Sequence, residues 1–210
     1  LNAGIRIAVA LLFLPSSLAA QGFFDEFSYE GLRFSGIGIA VGAVASNRLE
    51  TQFTGALSVD YGMIAPRVRV LVGVSYYRGD FKESEITDFE ENLSELVDDP
   101  TGDFTISVGT VTWSDFAANL DLQYVIPAGR ITAFAGAGLG IHFRNGSGSA
   151  IDGTFVEDAL DTIDASLNLS LGTQVQLIRE LALTLGVRGA LSSDLMSAGA
   201  LIGCMYRMPR

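Results

Sequence analysis

The sequence predicts an all-β chain: an eight-stranded antiparallel up-and-down barrel that crosses a membrane, with a lumen of small polar residues and long outer loops. Three observations carry that prediction. The first is a recurrent alternation of period two, the mark of a strand. It is cleanest in LNLSLGTQVQL, where Leu167, Leu169, Leu171, Thr173, Val175 and Leu177 share one face and Asn168, Ser170, Gly172, Gln174 and Gln176 the other. The second is bulk composition. The chain is 49% hydrophobic and 18% charged, with a mean hydropathy of +0.36, yet no interior apolar run reaches the roughly 20 residues of a membrane helix. The third is that short and long connections between the alternating segments take turns along the chain.

The elements follow in order. In LNAGIRIAVALLFLPSSLAAQG a single cation, Arg6, precedes an apolar run over 7–14 and then small residues. This has the form of a secretory signal segment, residues 1–20, cleaved near Ala20, leaving 21–210 as the barrel. No cysteine stands at the cleavage point, so no lipid anchor is expected.

Strand one, 33–45, sets Ile37, Ile39 and Val41 against Gly36, Gly38, Ala40 and Gly42. Strand two, 52–63, sets Phe53, Leu57, Val59, Tyr61 and Met63 against Gln52, Thr54, Ala56, Ser58 and Asp60. Strand three, 67–78, sets four valines and Tyr76 against Arg67, Arg69, Gly73, Ser75 and Tyr77. Strand four, 113–126, sets Phe116, Ala118, Leu120, Leu122, Tyr124 and Ile126 against Asp115, Asn119, Asp121 and Gln123. Strand five, 131–144, sets Ile131, Leu139, Ile141 and Phe143 against Thr132, Gly136, Gly138, Gly140 and His142. Strand six is the stretch quoted above. Strand seven, 181–191, sets Leu181, Leu183, Leu185 and Val187 against Thr184, Gly186 and Arg188; strand eight, 198–208, sets Ile202, Cys204 and Tyr206 against Gly199, Gly203 and Arg207. Tight turns fall at 65–66, 127–129 and 179–180, and longer loops at 44–51, 80–112, 145–165 and 192–197. In an outer-membrane barrel the short turns are periplasmic and the longer loops face out.

The decisive question is which face meets water. A soluble, lipocalin-like barrel would turn its leucines inward. Here the polar face holds Gly, Ser, Thr and Asn with a few charges of both signs and no Lys or Glu fringe. Small residues suit a crowded lumen, and charge there must be compensated. The leucines are therefore expected to face lipid. Tyr61, Tyr124 and Tyr206 lie on the apolar face near the short turns, and Phe53, Tyr76, Phe116 and Phe143 on the same face near the long loops. The step from Phe116 to Tyr124 spans roughly 20 Å along the membrane normal at a tilt of about 40°, approaching the roughly 25 Å between two aromatic girdles.

With that pattern in hand, residues 29–208 resemble the small eight-stranded outer-membrane barrels of the OmpA/OmpX type, specifically members that consist of the barrel alone. The resemblance implies residence in the outer membrane of a Gram-negative-type bacterium, contact with membrane lipid and lipopolysaccharide, and a monomer. It also implies that LIGCMYRM carries, in Gly203, Tyr206 and Met208, the spacing by which barrel assembly machinery reads the last strand; the chain departs from that signal by continuing with Pro209 and Arg210.

Charge and rare residues exclude several chemistries. A net charge of -11 and a pI near 4.4 argue against nucleic acid. Cys204 and His142 are each the only one of their kind, so neither a Cys nor a His metal cluster forms, and no cofactor is expected. Cys204 should face lipid as a small hydrophobe. Asp60, Arg67, Arg69, Asp115, Asp121 and Arg188 fall on the inward face, where charges must pair; they read as a structural network that plugs the lumen, with a gate or proton path as the alternative. His142 is expected near the outer mouth beside Asp115 and Arg144. A lipid-modifying enzyme would need a serine fixed against it, and Ser147 and Ser149 sit in a Gly-rich loop; the chain is therefore expected not to be an enzyme. The glycines of 136–140 make room inside the barrel.

Two outer loops carry short helical patterns. Thr87 and Glu90 form a T-x-x-E capping box before Ile86, Phe89, Leu93 and Leu96 or Val97 at helical spacing; Thr154 and Glu157, with Phe155, Ala159, Leu160 and Ile163, repeat the arrangement. The helices either pack together on the rim as a lid or offer an acidic surface to cations or a basic partner. The expected role is structural or adhesive, through the outer loops. The alternatives are a lipid A-modifying enzyme and a soluble lipocalin-like binder.

Overall fold

Every strand pairs antiparallel with its sequence neighbour, and the last returns to the first. The computed structural model describes residues 27–96 and 109–209; the expected signal segment, 1–20, lies outside them. A 3-10 turn, Tyr29–Gly31, leads into β1 (Leu32–Ser46), β2 (Gln52–Ala65), β3 (Val68–Asp80), helix α1 (Glu83–Leu96), β4 (Thr112–Ala128), β5 (Ile131–Ser147), helix α2 (Phe155–Leu160), β6 (Thr162–Gln176), β7 (Leu181–Ser192) and β8 (Met196–Arg207). The wall is a closed barrel in the order β1 to β8. Ile39 opposite Cys204 and Ala40 opposite Gly203 close the seam between β1 and β8. Closure leaves no unpaired edge, the condition for crossing lipid with strands. No described helix is long and apolar enough to do so.

The alternation sorts as expected. Ile39 is 60% exposed, Leu120 50%, Leu139 66% and Leu171 60%, while Asn119, Asp121, Asn168 and Gln174 on the opposite face are buried. Unbroken apolar exposure around a closed wall is a lipid-facing surface, far larger than any patch a soluble monomer carries. Cys204 is exposed on that surface. The seven aromatics, Phe53, Tyr61, Tyr76, Phe116, Tyr124, Phe143 and Tyr206, are all exposed on it too. Tyr76, Phe116 and Phe143 are direct neighbours across β3, β4 and β5, with the two phenylalanine rings 6.3 Å apart.

The structure corrects the sequence reading in three places. Arg67 does not belong to the lumen. It occupies the turn between β2 and β3 with φ +68°, is exposed, and its Nη1 donates to the hydroxyl of Tyr124 at 3.5 Å on the outer face. The turn needs a residue in the left-handed region, Pro66 cannot supply it, and the alternation therefore starts only at Val68. The loop expected over 145–165 shrinks to 148–161, because Ser114 pairs with Asn145 and Trp113 with Gly146. Asn and Gly read as loop formers, but a strand that rises above the lipid is free to be polar. Finally, α1 begins one turn before the expected box, so Thr87 lies inside the helix and donates back to the carbonyl of Glu83 at 2.9 Å. In α2 the expectation holds at Thr154, whose hydroxyl accepts from Val156 N–H at 3.3 Å; Glu157 reaches Gly153 N–H.

Candidate functional site

Three polar layers are stacked in the lumen. At the short-turn end, Arg69 is 4% exposed. Its Nη1 lies 3.5 Å from Asp60 and donates to Gln174 at 3.0 Å, while Nη2 donates to Gln123 at 2.6 Å. Its guanidinium stands 6.0 Å above the ring of Phe134, and Arg207 donates to the same Gln174 oxygen at 3.1 Å. Phe134 faces inward because β6 and β7 present Gly172 and Gly186 to it; a Cβ at Gly172 would come within 2.6 Å of the ring. In the middle, Arg188 holds Asp121 with both terminal nitrogens, at 3.0 and 3.1 Å, and Asn168 donates to Asn119 at 2.9 Å.

The outer layer is the densest. Asp115, 2% exposed, receives Nε of Arg144 at 2.9 Å and the hydroxyl of Tyr77 at 3.0 Å, with Nδ1 of His142 2.9 Å away. Arg144 continues to Asp164 and to Ser192 at 2.9 Å. One arginine thus ties β4, β5, β6 and β7 together. Above this layer Leu49, Tyr77, Trp113 and Leu195 form a buried apolar cluster. Arg144 lies 5.2 Å from the centre of the Trp113 ring, whose Nε1 donates to the carbonyl of Leu160 at 2.9 Å. Val111 and Ile151 then join Phe81, Ile86 and Phe89 to Val156 and Leu160, so both outer helices share one apolar footing on the rim. The expected Leu93, Leu96, Val97 and Phe155 lie outside the described side chains.

Of the expected lumen residues, the structure buries Asp60, Arg69, Asp115 and Asp121 in the lumen, with Arg188 paired to Asp121 there. His142 and Arg144 stand beside Asp115 as expected, and the structure adds Tyr77, Asp164 and Arg207 to the network. The serine beside His142 is neither Ser147 nor Ser149 but Ser166, with Oγ 3.0 Å from Nε2. Sequence reasoning sought it along the chain, whereas it stands across the ladder, one alternation beyond the pair His142 and Asp164. Asp115, His142 and Ser166 have the connectivity of an orienting carboxylate, base and nucleophile. The surroundings do not suit that chemistry. Ser166 is 4% exposed, its hydroxyl is engaged by Asn168 at 3.1 Å, and it does not line the lumen cavity of about 180 Å³. That cavity runs along all eight strands: Arg69, Asp121, His142 and Arg188 of the polar layers line it together with small residues such as Gly38, Gly199 and Gly203. Among the described residues, no group of three or more His, Cys, Asp or Glu is placed to hold a metal ion.

No protein-family model and no curated protein matches the chain. Solved structures do. Neisserial surface protein A is 11% identical, with a TM-score of 0.51 over 82% of this chain and 97% of that one. The chain has the fold of the small outer-membrane β-barrels. The attachment invasion locus protein Ail of Yersinia pestis, solved in complex with the heparin analogue sucrose octasulfate, is 12% identical at a TM-score of 0.49, covering 83% of this chain and 99% of Ail. The N-terminal barrel domain of Pseudomonas aeruginosa OprF is 13% identical at 0.46, covering 81% and 97%.

Proposed function

We propose that this outer-membrane barrel is a surface protein with a plugged lumen, whose role is structural or adhesive and exercised by its acidic outer loops. The observation that carries the reading is the continuous stack of three polar layers beneath the apolar cluster of Leu49, Tyr77, Trp113 and Leu195. Charges that are paired and hydrogen-bonded across seven strands, β2 to β8, act as braces, and opening a path would leave carboxylates such as Asp115 unpaired in a low dielectric. This supports the plug over a gate or proton path. With transport set aside, the face presented by α1 and α2 remains. Around it stand Glu83, Glu85 and Asp88 on α1 and Asp158 on α2, with Lys82 turned onto the carbonyls of Ser46 and Asn47. Such a face favours divalent cations or a basic partner, including lipopolysaccharide phosphates bridged by cations.

The shared apolar footing of the helices supports the lid as well: the helices cover the rim and show their acidic sides outward. A non-enzymatic role follows from the packing of Ser166. Gly203, Tyr206 and Met208 serve assembly in this reading, and the girdle aromatics set the depth of a monomer in lipid. The test replaces 83–103 with a short Gly-Ser linker. The barrel should fold and remain heat-modifiable on gels, because its hydrogen-bonded wall does not involve the loop, while cell-surface adhesion and divalent-cation binding fall. Adhesion and cation binding at wild-type levels would refute the role of the loop.

A further inference from the structure

Every connection at the short-turn end of the barrel carries arginine. Arg67 sits in the β2–β3 turn, Arg130 in the β4–β5 turn and Arg179 in the β6–β7 turn, while Arg33 stands at the seam between β8 and β1. The strands follow one another in order around a closed wall, so these positions fall one to each quarter of the rim. Arg33, Arg67, Arg130 and Arg179 are exposed. Against the four stand two described carboxylates, Glu30 and Glu180, and among the described residues no ion pair engages any of the four. The opposite rim has the reverse sign.

The depth of this collar is fixed by its neighbours. Ile131, next to Arg130, is 49% exposed, and Ile178, next to Arg179, is 60% exposed. Arg67 touches Tyr124 of the aromatic row. Turns that pair an exposed isoleucine with an arginine lie at the membrane interface, where the apolar side chain meets acyl chains and the guanidinium rises to phosphate level. A guanidinium there holds a fixed positive charge at the level of the lipid phosphates, where each such charge attracts anionic lipid. We infer that the arginine collar binds the phosphates of anionic glycerophospholipids in the leaflet at the short-turn end, and so anchors and orients the barrel.

The test reconstitutes the full chain in phosphatidylcholine vesicles containing spin-labelled phosphatidylglycerol or phosphatidylcholine, and measures the motionally restricted fraction of each. The wild type should select phosphatidylglycerol. The triple variant R67Q/R130Q/R179Q should lose that selectivity by up to roughly fivefold per arginine, while R48Q/R78Q at the outer rim keeps it. A triple Arg→Lys variant, with the charge retained, should keep most of it; its loss there too would mean that turn geometry, not charge, was read, and would overturn the inference. No selectivity in the wild type, or undiminished selectivity in R67Q/R130Q/R179Q, also overturns it. So does displacement of the lipid by inorganic phosphate at matched ionic strength, which would make the collar a site for free phosphate.

Discussion

Replacing Arg144 by Met keeps the length of the side chain and removes its charge. The side chain of Arg144 is 1% exposed. Its loss strands Asp115, 2% exposed, and Asp164, 16% exposed by side chain, and removes the bond to Ser192. Removing one partner of a buried pair costs about 3–5 kcal/mol. Asp115 keeps Tyr77 and His142, and Asp164 retains some solvent, so the lower end applies: about 3 kcal/mol, with up to ~1 kcal/mol more for the lost contact with Trp113. The cost is that of uncompensated charge, and neutralising the carboxylates should recover it. The triple variant Arg144→Met, Asp115→Asn, Asp164→Asn should stand within about 1.5 kcal/mol of the wild type, since replacing a whole buried ionic group is near neutral. Reversible urea unfolding in lipid vesicles, read by the heat-modifiable band, measures both. A loss below about 1 kcal/mol in the single variant, or an equal loss in the triple one, would refute the paired-charge account of the outer layer.

Other outcomes follow from the same geometry. Leu139→Arg, at a position 66% exposed, should cost about 2–4 kcal/mol in a bilayer; if this exposed face met water instead of lipid, the change would cost almost nothing. Gly140→Leu should cost at least about 1–3 kcal/mol, because a Cβ there falls 2.6 Å from Ser166 Oγ and 2.9 Å from Asn168 Nδ2; an unchanged unfolding midpoint would show that the middle layer yields. Wild type and Ser166→Ala should both release no fatty acid from lipopolysaccharide, and release that depends on His142 and Ser166 would establish an enzyme.

The wall was legible because lipid on one side and a crowded lumen on the other impose opposite demands on successive residues. Leu167 to Gln176 could be read directly for that reason. Asp60, Arg69, Asp115 and Asp121 followed from parity alone. Parity fails where the backbone leaves the strand, which is why Arg67 was misplaced by the left-handed turn. It is also silent on partners. Tyr77, Asp164 and Ser166 meet Asp115, Arg144 and His142 across the ladder, at a register that depends on strand stagger rather than on any local signal. The true start of α1 was hidden because its first turn, Glu83 to Ile86, follows directly on the rim residues Phe81 and Lys82, with no polar capping residue to announce it.

In the proposed reading, polar layers and an apolar cap block passage through this lumen around its cavity of about 180 Å³. Planar bilayer recordings on the purified, refolded full chain test it most directly. The account predicts a baseline without stable channels at symmetric salt. Steady, large, reproducible openings from the wild-type protein would contradict it.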